Sequence, residues 1–337
     1  MAPDKLTPSD QRVQHGTAAL NGKTYHYLHG KPEGEHTGTV LLIHGFPDLS
    51  FGWRYQIPYL LSLGLQVIAP DLPGFGRSDA PAALEQYGFK TLSADMAALA
   101  AQLAPGEQVI LGGHDWGGFA VWRIALWQPA LVRAVFSVCT PYAPPLPVYV
   151  DVDALAARLP NFGYQRQFAG DDIVARIASP QRIRQFLTAL QGGRTPAGEP
   201  GFSTAEGVLY DRVDALRPAR VMSGEEMDYY VAEYARNGMR GPTNWYRTRK
   251  VNYDDEVELL KEGPPRIRVP SMIVLAENDP AIPPALANGM EKHFDDLTKR
   301  TVPGSHWVLW SHPEQVNAEI GEFVKKVLAA GDPKASL

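Results

Sequence analysis

The sequence predicts an α/β fold, a mostly parallel central sheet with helices on both faces and a helical cap inserted into it. Three observations carry this expectation. Short apolar, β-rich runs alternate with helical patterns through the first part of the chain. The alternation stops from about Pro141 to about Pro265 and resumes at Ser271. The chain has 337 residues, 45% hydrophobic and 20% charged, enough for one large core plus an elaboration.

Taken in order, the first strand is expected around Thr24 to Leu28, where alternation suits an edge strand paired antiparallel with its neighbour. The runs Val40-Leu41-Leu42-Ile43, Val67-Ile68-Ala69, Val109-Ile110-Leu111, Ala134-Val135-Phe136 and Met272-Ile273-Val274-Leu275 are continuously apolar. Such runs belong to strands buried on both faces of a parallel sheet. Between them Tyr55 to Leu63, Thr91 to Leu103 and Phe119 to Trp127 carry helical patterns, so crossover helices join the strands. The stretch 141–265 is rich in aromatics and arginines, and an insertion that long is a subdomain rather than a bare loop. The expected division is therefore 1–140 and 266–337 for the α/β core and 141–265 for the cap. The prolines from Pro141 to Pro147 and the Gly263-Pro264-Pro265 turn mark hinges at its two ends.

A formal net charge of −5 without a basic block argues against a nucleic-acid partner. The short run Arg247-Thr248-Arg249-Lys250 is expected to be a solvated face. One cysteine, Cys139, sits in an apolar run, which reads as buried packing and favours a reducing compartment, with the cytosol as the expected location. The start, Met1 to Pro8, lacks the apolar stretch of a signal peptide, and no segment approaches a membrane span, so no membrane partner is expected. The terminal Ala335-Ser336-Leu337 lacks the basic residue of a peroxisomal address. Neither composition nor pattern speaks to the oligomeric state.

Chemistry is concentrated at Val109-Ile110-Leu111-Gly112-Gly113-His114-Asp115-Trp116-Gly117-Gly118, where a strand stops on an acid among glycines and a helix follows at once. A tight strand-to-helix turn presents its apex residue as a nucleophile, and only small neighbours avoid clashing with its strained backbone. The apex here is Asp115. A carboxylate attacking a saturated carbon forms an ester, which water can hydrolyse at the carbonyl. The competing reading is an acid that caps the next helix.

A base for that water follows downstream in Pro303-Gly304-Ser305-His306-Trp307, which makes His306 the candidate. Between them Ala276-Glu277-Asn278-Asp279-Pro280 places Asp279 just past a strand end, where it can accept a hydrogen bond from the imidazole and fix its tautomer. Glu277 competes for that role. Backbone N–H groups of Phe46 and Trp116 are the candidate oxyanion donors, one in the loop after the third strand and one directly after the nucleophile. Pro47 has no N–H to give. No His, Cys and carboxylate set has metal-ligand spacing, and Gly74-Phe75-Gly76-Arg77 falls short of a dinucleotide motif, so neither metal nor cofactor is expected.

At this point the chain resembles the α/β-hydrolase superfamily, and within it the epoxide hydrolases, most closely the fungal soluble ones. The resemblance covers nearly the whole chain. It rests on His44-Gly45-Phe46-Pro47, on Asp71-Leu72-Pro73-Gly74-Phe75-Gly76-Arg77-Ser78, on Gly113-His114-Asp115-Trp116-Gly117, and on the order nucleophile, acid, histidine. The resemblance further implies that two cap tyrosines hold and protonate the epoxide oxygen, Tyr164 in Asn161-Phe162-Gly163-Tyr164-Gln165 and Tyr246 in Asn244-Trp245-Tyr246-Arg247. The residues alone do not single these two out of 14 tyrosines, with Tyr142, Tyr149, Tyr229 and Tyr230 as rivals.

The implied reaction converts a small lipophilic epoxide and water to a vicinal diol, with Phe46, Trp116, Phe162 and Trp245 as expected apolar walls of the pocket. Two alternatives share the motif set. A haloalkane or haloacid dehalogenase uses the same nucleophile but meets its halide with Trp or Asn side chains, and the haloalkane enzymes usually carry Asn where Phe46 stands. A non-catalytic receptor on the same fold would keep the pocket for binding alone.

Overall fold

The computed structural model describes residues 3–331. Ala335-Ser336-Leu337 lies outside the described residues. The chain opens with β1 (Val13–Leu20) and β2 (Lys23–Gly30), followed by β3 (Gly38–Ile43), α1 (Gln56–Ser62), β4 (Leu65–Pro70), α2 (Phe89–Leu103), β5 (Val109–His114), α3 (Trp116–Trp127) and β6 (Val132–Val138). Next come α4 (Val152–Arg158), α5 (Tyr164–Ala169), α6 (Asp172–Arg176), α7 (Pro180–Leu190), the two-residue strands β7 (Phe202–Ser203) and β8 (Gly207–Val208), α8 (Gly224–Asn237), α9 (Arg240–Asn244) and α10 (Arg249–Glu256). Strand β9 (Ser271–Ala276), β10 (Leu297–Val302), α11 (Val308–Ser311) and α12 (Pro313–Ala329) complete it.

Eight strands form one sheet in the order β1-β2-β4-β3-β5-β6-β9-β10. Only β2 pairs antiparallel, with β1 on one side and β4 on the other; from β4 to β10 every pairing is parallel. Strands β4, β5 and β9 are buried at every residue, the reason their sequences are unbroken apolar runs.

The N-terminal edge differs from expectation. The expected first strand, Thr24 to Leu28, is the second, and Val13–Leu20 covers it as the true edge. Asn21 and Gly22 join the two at φ 47° and 83°, the positive-φ pair that a tight hairpin turn requires. An Asn-Gly pair between two alternating runs was the available signal. β1 lacks an apolar run because only Val13, Ala18 and Leu20 of its residues are buried.

The insertion between β6 and β9 is helical apart from the small β7–β8 ribbon, and it lies against the core as a cap. Charged contacts fasten it. Arg54 of the core reaches Glu226 of α8 at 2.8 Å, with Lys5 on the same carboxylate at 2.7 Å. Arg77 meets Glu233 of α8 at 3.0 Å, and Arg123 of α3 meets Glu256 of α10 at 2.7 Å. Burial works to raise the Glu226 carboxyl, but the Arg54 and Lys5 charges outweigh it and hold the pKa at about 2. Among the described residues no helix is long and apolar enough to cross a membrane.

Candidate active site

Directly after strand β5 comes Asp115, whose backbone sits at φ 54°, ψ −123°, a conformation costly for any residue with a Cβ. The turn tolerates it because its neighbours are glycines. A Cβ on Gly113 would strike the Gly117 carbonyl, and one on Gly117 would strike the Ile43 carbonyl. The Asp115 carbonyl, left free by the sharp turn, accepts from Thr140 Oγ1 at 2.8 Å and from the Phe119 N–H at 3.1 Å, which fixes the apex from two sides.

The side chain is no helix cap; no cap hydrogen bond runs from it to α3. Its Oδ1 accepts from the Phe46 N–H at 2.7 Å, and its Oδ2 lies 3.6 Å from His306 Nε2. On the other face of the imidazole, His306 Nδ1 is 2.8 Å from Asp279 Oδ2. Asp279 Oδ1 accepts from the Ala281 and Ile282 N–H groups, both at 2.9 Å, so a short turn after β9 holds the acid rigidly. Glu277, the competing acid, is exposed and makes no contact with His306.

The charges of this trio are mutually set. Burial favours the neutral form of His306, but the adjacent Asp279, and beyond it Asp115, reverse that and lift its pKa to about 9. Burial also works to raise Asp279, yet His306 and the two backbone donors bring it down to about 2. For Asp115 burial wins and the pKa is raised, against the pull of His306 and of the Phe46 and Trp116 N–H groups.

Over this trio the cap places Tyr164, at the start of α5, and Tyr246, just after α9, with ring centroids 6.0 Å apart. Tyr246 packs edge-on against both Phe46 (5.1 Å) and Trp116 (5.3 Å). Burial raises both phenols above their ordinary pKa, and the Asp115 charge adds to that, so both are held as proton donors. Of the rival tyrosines, Tyr230 is engaged elsewhere, donating to Asp48 Oδ1 at 2.5 Å, whereas Tyr142, which also packs on His293 and Phe294, and Tyr149 line the same cavity as Asp115 and Tyr164.

A cavity of about 350 Å³ opens from Asp115 and Tyr164 along α3 and beneath the segment that links β6 to the cap. Trp116 and Phe162 line it. Phe46 and Trp245 do not, and their expected role as walls is corrected. The Phe46 ring is buried among Phe75, Phe168, Phe186 and Tyr246, so only its backbone serves the site. Trp245 packs on Phe75, Tyr87 and Phe89 and donates to the Pro73 carbonyl at 3.1 Å, filling the seam between cap and core.

Two further features escape a linear reading. Asp48, directly after the His44-Gly45-Phe46-Pro47 stretch, is buried, and its pKa is pushed up to about 7 by burial, against hydrogen bonds from Tyr230 and the Leu49 N–H. Its partner Tyr230 comes from α8, so only the folded cap reveals the contact. The ligating atoms of His114, Cys139 and His306 lie within 4.8 Å of one another, although their spacing in sequence suggests no metal set. They come from the ends of β5 and β6 and the loop after β10. His306 is occupied by Asp279, while His114 Nε2 (2.9 Å) and Cys139 Sγ (3.5 Å) both contact the His306 carbonyl, so hydrogen bonding about the histidine accounts for the group.

An aspartate at a strained strand-to-helix turn, with an acid and a histidine after later strands of a mostly parallel sheet, defines a hydrolase of the α/β-hydrolase type. Residues 38–313 match the family model described as alpha/beta hydrolase fold. The epoxide hydrolase srdG of Neurospora crassa is 44% identical over 97% of this chain and 100% of its own. Epoxide hydrolase A of Mycobacterium tuberculosis is 30% identical over 85% of this chain and 89% of its own. Among solved structures, the epoxide hydrolase VrEH1 of Vigna radiata superposes with a TM-score of 0.80 at 26% identity, covering 94% of this chain and 99% of that one. The chain belongs to the α/β-hydrolase fold family and, within it, to the epoxide hydrolases.

Proposed function

We propose that this chain hydrolyses a small lipophilic epoxide to a vicinal diol through an ester on Asp115. The observation that carries the reading is the placement of Asp115 between His306, at 3.6 Å, and the buried tyrosine pair of the cap. The inserted cap, 141–265, supplies the tyrosines, and the core segments 1–140 and 266–337 supply the trio. Asp115 attacks an epoxide carbon and the carbon–oxygen bond breaks. Tyr164 and Tyr246 hydrogen-bond the departing oxygen and one gives it a proton, a fitting role for phenols whose pKa lies well above neutrality.

His306 then takes a proton from water as the hydroxide adds to the ester carbonyl. The Phe46 and Trp116 N–H groups hold the resulting oxyanion; the Phe46 group already lies 2.7 Å from Oδ1. Collapse releases the diol, which receives the proton from His306. The hydroxyl left on the Asp115 carbon gives up its proton, which restores the tyrosine. Forming the ester also removes the Asp115 charge, one of the influences that raise the His306 pKa. The histidine thus becomes a readier base at the step that needs one.

The dehalogenase alternative uses the same nucleophile but gives no role to paired phenols over it. The single cysteine fits a reducing, cytosolic setting. Single turnover in heavy-oxygen water tests the mechanism. Label is expected in the Asp115 carboxylate, and His306→Gln is expected to accumulate an Asp115 adduct of substrate mass. An unlabelled peptide together with no adduct would sink the covalent route.

A further inference from the structure

The run Arg247-Thr248-Arg249-Lys250, expected to be one solvated face, divides in the structure. Lys250 is exposed and pairs with Asp254 at 2.6 Å, and Arg247 pairs with Asp171 at 3.0 Å. Arg249 instead lines the cavity that begins at Asp115. Its Nε donates to the Val150 carbonyl at 3.0 Å, and among the described residues no carboxylate oxygen lies within 4.0 Å of the guanidinium. Burial lowers its pKa, the mark of a cation partly withdrawn from water, yet a guanidinium stays charged at neutral pH.

The acids nearby are committed elsewhere. Glu256 is gripped by the other arginine of this cavity, Arg123, through Nε at 2.7 Å and Nη2 at 3.1 Å. Asp151, next to Val150, accepts from the Ala154 N–H at 2.8 Å as the cap of α4. Asp151 and Glu256 pull on Arg249 through space, but neither bonds it, so apart from the Val150 carbonyl its guanidinium donors are left for a ligand in the cavity. The rest of that wall is mainly apolar: Trp116 and Phe119 of α3 face it at helical spacing, ahead of Arg123. From Asp115 to Arg123 is eight residues, about 12 Å of helix, so the cavity has room for more than an epoxide ring.

We propose that Arg249 is a specificity anchor for a substrate carboxylate, selecting epoxides that carry an acidic group across an apolar spacer from the reacting ring. The inference rests on the epoxide-hydrolase reading for its reaction, but the anchor itself is a binding site and can be tested without turnover. A carboxylate pairs with a guanidinium through charge-assisted, bidentate hydrogen bonds, which a methyl ester cannot match.

The test compares an ω-epoxy medium-chain carboxylate with its methyl ester, in the parent chain and in Arg249→Gln and Arg249→Lys. The parent should favour the acid by about tenfold or more in kcat/KM, mainly through KM. Arg249→Gln should bring the ratio of acid to ester close to one, and Arg249→Lys, which keeps the charge but loses the planar fork, should fall between. Calorimetry with the saturated carboxylate, which cannot react, should show binding weakened about tenfold in Arg249→Gln. If Arg249→Gln fails to fold, the intermediate ratio in Arg249→Lys carries the test. A parent chain that turns over both compounds without preferring the acid overturns the anchor, as does a preference that survives Arg249→Gln. If no epoxide is turned over while the saturated carboxylate still binds through Arg249, the hydrolase reading fails and the anchor stands.

Discussion

Replacing Asp279 with Asn should separate the two halves of the reaction. The substitution keeps the size of the side chain and an oxygen for the Ala281 and Ile282 N–H groups, but removes the charge 2.8 Å from His306. Against burial, that contact, with Asp115 adding to it at the histidine, takes His306 from 6.5 to about 9 and Asp279 from 3.8 to about 2. At about 1.4 kcal/mol per pH unit, the two shifts put the coupling at about 2 to 4 kcal/mol. Without it burial dominates, and the His306 pKa should fall below its ordinary value. Attack by Asp115 does not need the histidine as a base, so ester formation, followed by quenched-flow mass analysis, should be slowed little. Hydrolysis of the ester should drop by about 10² to 10⁴, the range for loss of an oriented general base. Stability carries a second signature. Because the folded pKa of His306 is raised, its contribution is fully present below pH 6.5 and is lost as pH rises through about 9. Asp279→Asn should lose that alkaline decline. An unchanged hydrolysis rate, or an alkaline limb identical to the parent's, would refute the reasoning.

Tyr164→Phe and Tyr246→Phe should each slow ester formation by at least about tenfold, and the double variant should be nearly inactive, because one phenol can partly cover for the other; stopped-flow fluorescence of Trp116, beside the nucleophile, reads this step. Glu226→Gln removes the shared partner of buried Arg54 and of Lys5 and should cost about 3 kcal/mol in denaturant unfolding. Glu226 is depressed from 4.5 to about 2, so its contribution is present above pH 4.5 and lost as pH falls toward 2; the variant's acid limb should be flatter over that window. Asp48→Asn should do the opposite at higher pH. A buried acid raised from 3.8 to about 7 penalises the folded state increasingly as pH climbs through that range, whereas Asn can still accept from Tyr230. Thermal melts should show the variant gaining on the parent as pH rises from about 4 to about 7, the gain holding constant above that and vanishing near pH 4.

The parts of this molecule legible in the sequence are those fixed by local pattern. Strands buried on both faces announce themselves as apolar runs, and the elbow announces itself because no Cβ fits at Gly113 or Gly117. His306 and Asp279 were legible by order along the chain, since the topology of the sheet delivers successive strand ends to one edge. The tyrosines were not. Tyr164 and Tyr246 are 82 positions apart on short helical segments of the cap, and nothing local separates them from Tyr230, which serves Asp48 instead. Arg249 was misplaced for a related reason: a run of basic residues reads as solvated unless the fold shows that one of them turns inward. Phe46 and Trp245 read as walls in the sequence because aromatic side chains fit a pocket and a core equally well.

The same division runs through the mechanism. In the proposed mechanism the core carries the nucleophile, acid and histidine while the proton for the departing oxygen would come from the cap, so the reaction should depend on how firmly cap and core are held. Two of the contacts that fasten them adjoin elements of the site. Arg123–Glu256 ties α3, whose first residue is the proposed oxyanion donor Trp116, to α10, which follows Tyr246 by three residues. Tyr230 and Tyr234 of α8 both reach Asp48, at 2.5 Å and 3.2 Å, two residues beyond the Phe46 N–H. A cap shifted by an ångström would move the phenols away from the epoxide oxygen while leaving Asp115, His306 and Asp279 untouched. Loss of these fastenings should therefore slow the first step before it affects the second, the reverse of the pattern expected for Asp279→Asn.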